Sequence, residues 1–220
     1  MSNLNSKVFC IGFMKTGTTT QNRALTMLGY RVSNRSWKLL RPILYGDWET
    51  VKSHVNGFDA FEDNPVPLIY KELDAMFPGS KFILTVRDPE SWYKSVSHHI
   101  GSLRTPMHEW VFGRGKGLPK DDKDHTIRIY NEHIAAVKAY FAHRPDDLLI
   151  HELETDMSWE KICAFLVQPI PKEPFPHSNK SNYNESKPVK TGISFTSIRK
   201  RIKNRIVLIY LNLRGVLPER

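Results

Sequence analysis

Residues 8–20 read Val8-Phe9-Cys10-Ile11-Gly12-Phe13-Met14-Lys15-Thr16-Gly17-Thr18-Thr19-Thr20. The run from Val8 to Gly12 is short, apolar and bounded by polar residues upstream and a Gly/Thr cluster downstream, the pattern of a buried strand. From Thr18 to about Leu28 the pattern turns helical, with Ala24, Leu25 and Leu28 on one face and Gly29 as a C-terminal stop. A strand, a glycine-bracketed loop and a helix therefore follow one another. In that order the loop amides and the positive end of the helix dipole converge, and glycines allow an anion close approach. Thr16, Thr18, Thr19 and Thr20 add hydroxyl donors.

Gly12 and Gly17 keep the spacing of the nucleotide triphosphatase loop G-x-x-x-x-G-K-[ST], but Thr18 stands where the lysine belongs and the lysine is Lys15. The Lys-Ser/Thr pair that holds β/γ-phosphates and Mg²⁺ is lost, and no acidic strand end offers itself as its metal partner. The loop suits a phosphate-type anion without magnesium. A second anion-binding element is Arg87, directly after the strand Lys81–Val86 (KFILTV), with Ser95 eight residues on in the next helix. Ligands of open α/β sheets sit outside the carboxyl ends of strands, so Arg87 is expected to face the crevice of the first loop. A guanidinium holds a phosphate bidentately. A structural pair between Arg87 and Asp88 or Glu90 is the alternative.

Elsewhere, residues 66–77 read as a helix closed by Pro78-Gly79, and Asp88-Pro89 opens a helix from about Glu90 to Ile100. Residues 101–124 hold four glycines, two prolines and clustered charges, and read as a long surface loop or lid. Ile127, Tyr130, Ile134, Val137 and Phe141 line one face of a helix over 125–144. Residues 147–151 read as a strand, and Ser158 as the N-cap of a helix running to Leu166. Alternating strands and helices predict a three-layer α/β/α fold around a central parallel sheet, with P-loop NTPase-like topology. Residues 1–186 are the expected α/β domain. Residues 187–220 are a basic helical extension packed on it, after a Pro/Asn/Ser/Lys-rich stretch over 169–192.

The chain has 220 residues, 40% of them hydrophobic, enough to bury a core and too many for a disordered chain. Its net charge is +9, which invites an anionic polymer as partner. The charge is unevenly placed: residues 187–220 carry +8 and residues 1–186 only +1. A basic field thus belongs to the tail, and anion chemistry in the body comes from a few placed groups. Two cysteines, Cys10 and Cys163, cannot build a disulfide framework or a Cys-rich zinc site. With neither a signal-peptide pattern nor a long uncharged run, a cytoplasmic setting is expected.

Taken together, FMKTGTTT and VRDPESWYKSV resemble the 5′-phosphosulfate loop and the 3′-phosphate site of sulfotransferases that use 3′-phosphoadenosine 5′-phosphosulfate (PAPS). Asp63-Asn64-Pro65, KEL, FPGSKFILTVRDPESWYKSV, and WEKICAFL followed by EPFPHSN are similar to a compact branch of that superfamily. The resemblance covers about residues 7–180. It implies that Lys15 contacts the phosphosulfate bridge and stabilises charge on the leaving phosphate of PAP. It also implies that Thr16, Gly17, Thr18, Thr19 and Thr20 cradle the 5′-phosphate, and that Arg87 and Ser95 hold the 3′-phosphate. No metal is required. Thr20 stands where many members carry a tryptophan for adenine stacking, and Lys190-Thr191-Gly192 only faintly echoes their C-terminal Arg-Lys-Gly element.

The base that takes the acceptor proton is, by the same resemblance, Asp63, with Glu62 and Asp59 as rivals and His98, His99 and His151 as the histidines nearest to predicted site elements. A purely structural role for Asp63 is the N-cap of a helix starting near Pro65. The expected activity is sulfuryl transfer to a hydroxyl, or an amine, of a small or lipid-like acceptor. An atypical nucleotide or small-molecule kinase is the alternative, and a membrane- or nucleic-acid-binding protein acting through its tail is a third reading, though no nucleic-acid partner is expected. Over 196–214, Ile198, Ile202, Ile206, Ile209 and Leu213 share one helical face with Arg199, Lys200, Lys203 and Arg205 around it. Such a helix packs on the body, helps enclose the donor's phosphates, or touches an anionic membrane. Acceptor identity and oligomeric state are left open.

Overall fold

The computed structural model describes residues 6–33, 36–153, 155–176 and 195–220. Five parallel strands form one sheet: β1 (Val8–Cys10), β2 (Val32–Ser33), β3 (Ala60–Phe61), β4 (Lys81–Val86) and β5 (Leu148–Glu152), in the order β2-β3-β1-β4-β5. The register pairs Phe9 with Phe61 on one side and with Phe82 on the other. Period-2 alternation then sorts the core. Phe9, Ile11, Phe61, Phe82 and Leu84 point to one face, and Val8, Cys10, Ala60 and Ile83 to the other.

The first face is covered by α2 (Leu40–Leu44), α3 (Trp48–Asn56), α4 (Tyr70–Met76) and α7 (Lys123–Tyr140), through Ile43, Val51, Val55, Leu73, Val137 and Phe141. The second is covered by α1 (Thr18–Met27) and α8 (Trp159–Leu166), through Ala24, Leu25, Ile162, Cys163 and Leu166. The result is the expected three-layer α/β/α fold. A third apolar cluster, built on Phe13, Trp92, Val96, Phe112 and Tyr130, lies among α5 (Pro89–Ile100), α6 (Pro106–Phe112) and α7.

Several expectations need correction. The helix expected over 66–77 is divided into a 3₁₀ turn, Val66–Leu68, and α4. The stretch read as a lid contains α6, whose start follows from a Thr-Pro signal: the Thr105 side chain accepts from the His108 amide at 3.1 Å, and Pro106 fills the first helical position. Val111 and Phe112 anchor it in the core. Strands β2 and β3, two residues each, are too short to show alternation in the sequence, yet they set one edge of the sheet and the approach to Glu62 and Asp63.

The helix α9 (Phe195–Leu213) closes the described chain. It lies beside α6: Asn204 Nδ2 donates to the Arg104 carbonyl at 3.1 Å, Leu211 and Leu217 are buried, and Arg220 Nη1 donates to the Val111 carbonyl at 3.2 Å. Residues 187–194, and with them Lys190-Thr191-Gly192, lie outside the described residues, as does most of the stretch over 169–192.

Candidate active site

The loop between β1 and α1 is held from three sides. Gly12 lies against β4, where a Cβ would overlap Thr85 Oγ1 and the Thr85 backbone. Thr16 Oγ1 donates to the Phe13 carbonyl at 2.6 Å and lies 2.6 Å from Thr85 Oγ1. Trp92 Nε1, from α5, donates to the Met14 carbonyl at 2.9 Å. The fully buried Thr16 hydroxyl thus ties the loop to the sheet and is not on the cavity wall.

Gly17 caps α1 with φ 99° and no side-chain acceptor, and the first turn contains no acid. The N-terminus of this ten-residue helix, from Gly17 to Thr20, lies on the crevice wall, the arrangement that binds an anion. A Cβ on Gly17 would approach Leu153 Cδ1 to 2.5 Å, so the segment after β5 closes over the loop.

One cavity of about 690 Å³ gathers Lys15, Gly17, Thr18, Thr19, Thr20, Arg87 and Ser95 with Glu62, Asp63 and His99. The two anion-binding elements read from the sequence therefore share a crevice, as the carboxyl-end rule requires. Arg87 is fixed by its backbone: its amide donates to Tyr130 Oη at 2.8 Å and its carbonyl accepts from the same hydroxyl at 3.0 Å. Burial raises that phenol to about 12, so it stays a donor.

Lys15 (φ 71°) and Asp63 (φ 65°) are two of three non-glycine residues with left-handed backbone among the described residues. Such conformations persist where the surroundings enforce them, often at functional sites. Asp63 opens onto the cavity while protein crowds its other sides, and this burial raises its carboxyl, offset by the Asn64 amide and by His99. Its Oδ1 accepts from that amide at 2.7 Å, so its side chain caps no helix; the Val66 amide bonds to its backbone carbonyl instead, at 3.0 Å. Next to it, Glu62 accepts from Asn22 Nδ2 at 3.0 Å, and burial followed by the Asp63 charge pushes it up to about 7. His99 is lowered by burial and then by Lys15, with Asp63 acting in the opposite direction.

The other rivals are elsewhere. Asp59 is paired with Arg31 at 2.8 Å, before the start of β3 and off the cavity wall. His151 is fully buried, its Nδ1 lying 3.1 Å from Gln21 Oε1, and is lowered by burial to about 4. His98 is not among the cavity residues. Sequence reasoning missed Trp37, Leu40 and Met107, which give the cavity an apolar wall; the C-terminal helix, for which a place around the site was one of the expected roles, contributes Lys203, Asn204 and Val207. No periodic signal marks the first group: Trp37 and Leu40 sit in a 3₁₀ turn and the five-residue α2 that follows it, and Met107 in the seven-residue α6. Among the described residues no cluster of three or more His, Cys, Asp or Glu forms a metal site.

A glycine-bracketed strand-loop-helix with a displaced lysine shares one crevice with an arginine at the neighbouring strand end, on an α/β fold of P-loop-like topology. Residues 7–183 match the family described as Sulfotransferase domain, and the chain belongs to that family. It is also similar to "Ava biosynthesis cluster protein M" of Aspergillus versicolor, 26% identical over an alignment of 218 positions, with 81% of this chain and 82% of that protein covered. Sulfotransfer-type chemistry is accordingly the activity of the fold described here.

Proposed function

We propose that the protein transfers a sulfuryl group from PAPS to a hydroxyl, or an amine, of a small or lipid-like acceptor. The observation that carries this reading is the convergence of Lys15, the α1 N-terminus, Arg87, Ser95 and Asp63 on one cavity. The uncapped helix start, the glycines at 12 and 17 and the separate guanidinium fit a donor with anionic groups at both ends. PAPS supplies the activated sulfuryl group. The amides of Thr18, Thr19 and Thr20 and the Lys15 ammonium hold negative charge where it grows in the transition state, the largest electrostatic contribution available here. Arg87 and Ser95 orient the far end, so that the reacting atoms start aligned. Asp63 takes the acceptor proton, with its carboxyl raised toward the range in which a base works well. The apolar wall of Trp37, Leu40 and Met107 receives the acceptor. A reduced, cytoplasmic compartment goes with the two buried free cysteines.

Calorimetric titration with PAP and with ATP, each with and without Mg²⁺, separates this reading from a kinase. PAP should bind without the metal, and a protein that binds only Mg²⁺-ATP is not this enzyme. For the base, Asp63→Asn keeps a residue that tolerates positive φ. It should leave PAP affinity within about threefold of wild type while turnover drops about a hundred- to ten-thousand-fold. Retained turnover would move the role to Glu62 or His99.

A further inference from the structure

From Ile202 onward, the apolar stripe that the sequence places on α9 does not face the protein. Leu211 is buried against the body and Val207 lines the cavity, whereas Ile202, Ile206, Ile209 and Leu213 are 54%, 62%, 53% and 83% exposed. At 100° per residue these four fall within about 60° of one another, on the side of the helix opposite Leu211. Arg201 and Arg205 flank the stripe on one side, Arg199 and Lys203 on the other, and the sequence of α9 contains no acid. Beside it, between α9 and residues 102–115, lies a second cavity of about 510 Å³ lined by Arg104, Arg114, Arg201, Arg205 and Ile209. The carboxylate in its wall, Glu109, is already engaged by Arg104 Nε at 2.6 Å and the Gly117 amide at 3.2 Å.

We infer that α9 docks the enzyme onto an anionic bilayer surface, with the stripe in the acyl boundary and an anionic headgroup in the arginine-lined cavity. The chemistry on both sides matches: an apolar strip bordered by cations is the form of a helix lying in the headgroup plane, its arginine stems snorkelling outward. A second copy of the chain fits poorly, because facing stripes would set cationic flanks against cationic flanks. The chain's own segment 177–194 is mostly polar, with few apolar side chains to cover isoleucines. No described helix is long and apolar enough to cross a membrane, so the contact is peripheral. Lys203 and Val207 of the same helix line the donor cavity, which sets its mouth beside the lipid surface.

Co-sedimentation of the full chain with phosphatidylcholine vesicles, with and without phosphatidylserine, tests this. Wild type should partition onto the serine-lipid vesicles, and high salt should release it. Ile206→Glu/Leu213→Glu and, separately, Arg201→Gln/Arg205→Gln should each reduce partitioning at least tenfold while leaving PAP-induced thermal stabilisation intact. The inference is overturned by three results: no preference for phosphatidylserine, a concentration-dependent dimer that the Glu variant abolishes, or a large loss of thermal stability in that variant, which would mean that the chain itself covers the stripe.

Discussion

Gly12 shows how much of the site depends on single atoms. Any side chain there meets the Thr85 backbone, which cannot yield as a flexible side chain would. Gly12→Ala should therefore push β1 and β4 apart and cost about 1–3 kcal/mol, as overpacking does in a filled core, with PAP affinity falling alongside; urea denaturation combined with PAP titration measures both. The residue identities of the loop were legible in the sequence because a strand, two glycines, a lysine and a helix leave few alternatives. The role of each hydroxyl was not. Thr16 and Thr18 look alike as letters, but one hydroxyl is spent on Thr85 and the other residue lines the cavity. Choosing between Asp59, Glu62 and Asp63 likewise required β3, a two-residue strand that places Asp59 before it and the other two beyond its carboxyl end.

At the scale of elements, the legible parts were those with long periodicity or explicit caps. β4 begins and ends at the expected residues, α7 begins two residues before its expected start, and α8 begins after Ser158, whose hydroxyl accepts from the Lys161 amide at 3.4 Å. Short elements such as α2 and α6 were not legible, since seven residues or fewer barely complete two turns. The composition of α9 was read correctly, but the direction of its apolar face depends on what α6 leaves uncovered. Deleting residues 195–220 is thus more than the removal of a charged tail. It uncovers the surface beneath Leu211 and Leu217 and strips Lys203, Asn204 and Val207 from the cavity. Differential scanning calorimetry of the deletion should show a Tm lowered by about 2–8 °C, from roughly 1–2 kcal/mol of lost packing. An unchanged Tm would mean that α9 contributes nothing to the body.

For the whole molecule, buried titrating groups set opposing pH dependences. His133 stacks on Phe13 at 4.2 Å, reaches the Ile11 carbonyl at 2.7 Å through Nε2, and is lowered by burial to about 4, as is His151. Both stay neutral in the folded chain while the unfolded chain takes up protons, so their contribution is present above the usual 6.5 and is lost as pH falls toward 4. Glu62, raised from 4.5 to about 7, acts in reverse: the folded chain holds the proton more tightly, so its contribution is lost as pH rises through that window. Each group is worth at most about 3 kcal/mol, and the two histidines outweigh the single carboxyl. Thermal melts should show lower stability at about pH 5 than at about pH 7, and Glu62→Gln should make that decline steeper by removing the opposing slope. Higher stability of the wild type in acid would contradict the assignment.

The place of β1 at the middle of the sheet has a consequence for how the protein is made. Its neighbours on either side, β3 and β4, are both translated after it; Thr85, which fixes the loop after β1, lies on β4, and Trp92 and Leu153, which hold and close that loop, come later still. Residues 12–20 leave the ribosome early but cannot take their working shape until most of the body has followed. On the proposed function, a nascent chain should become able to retain PAP only after the segment past Leu153 has emerged, and PAP retention would then report completed folding of the α/β body.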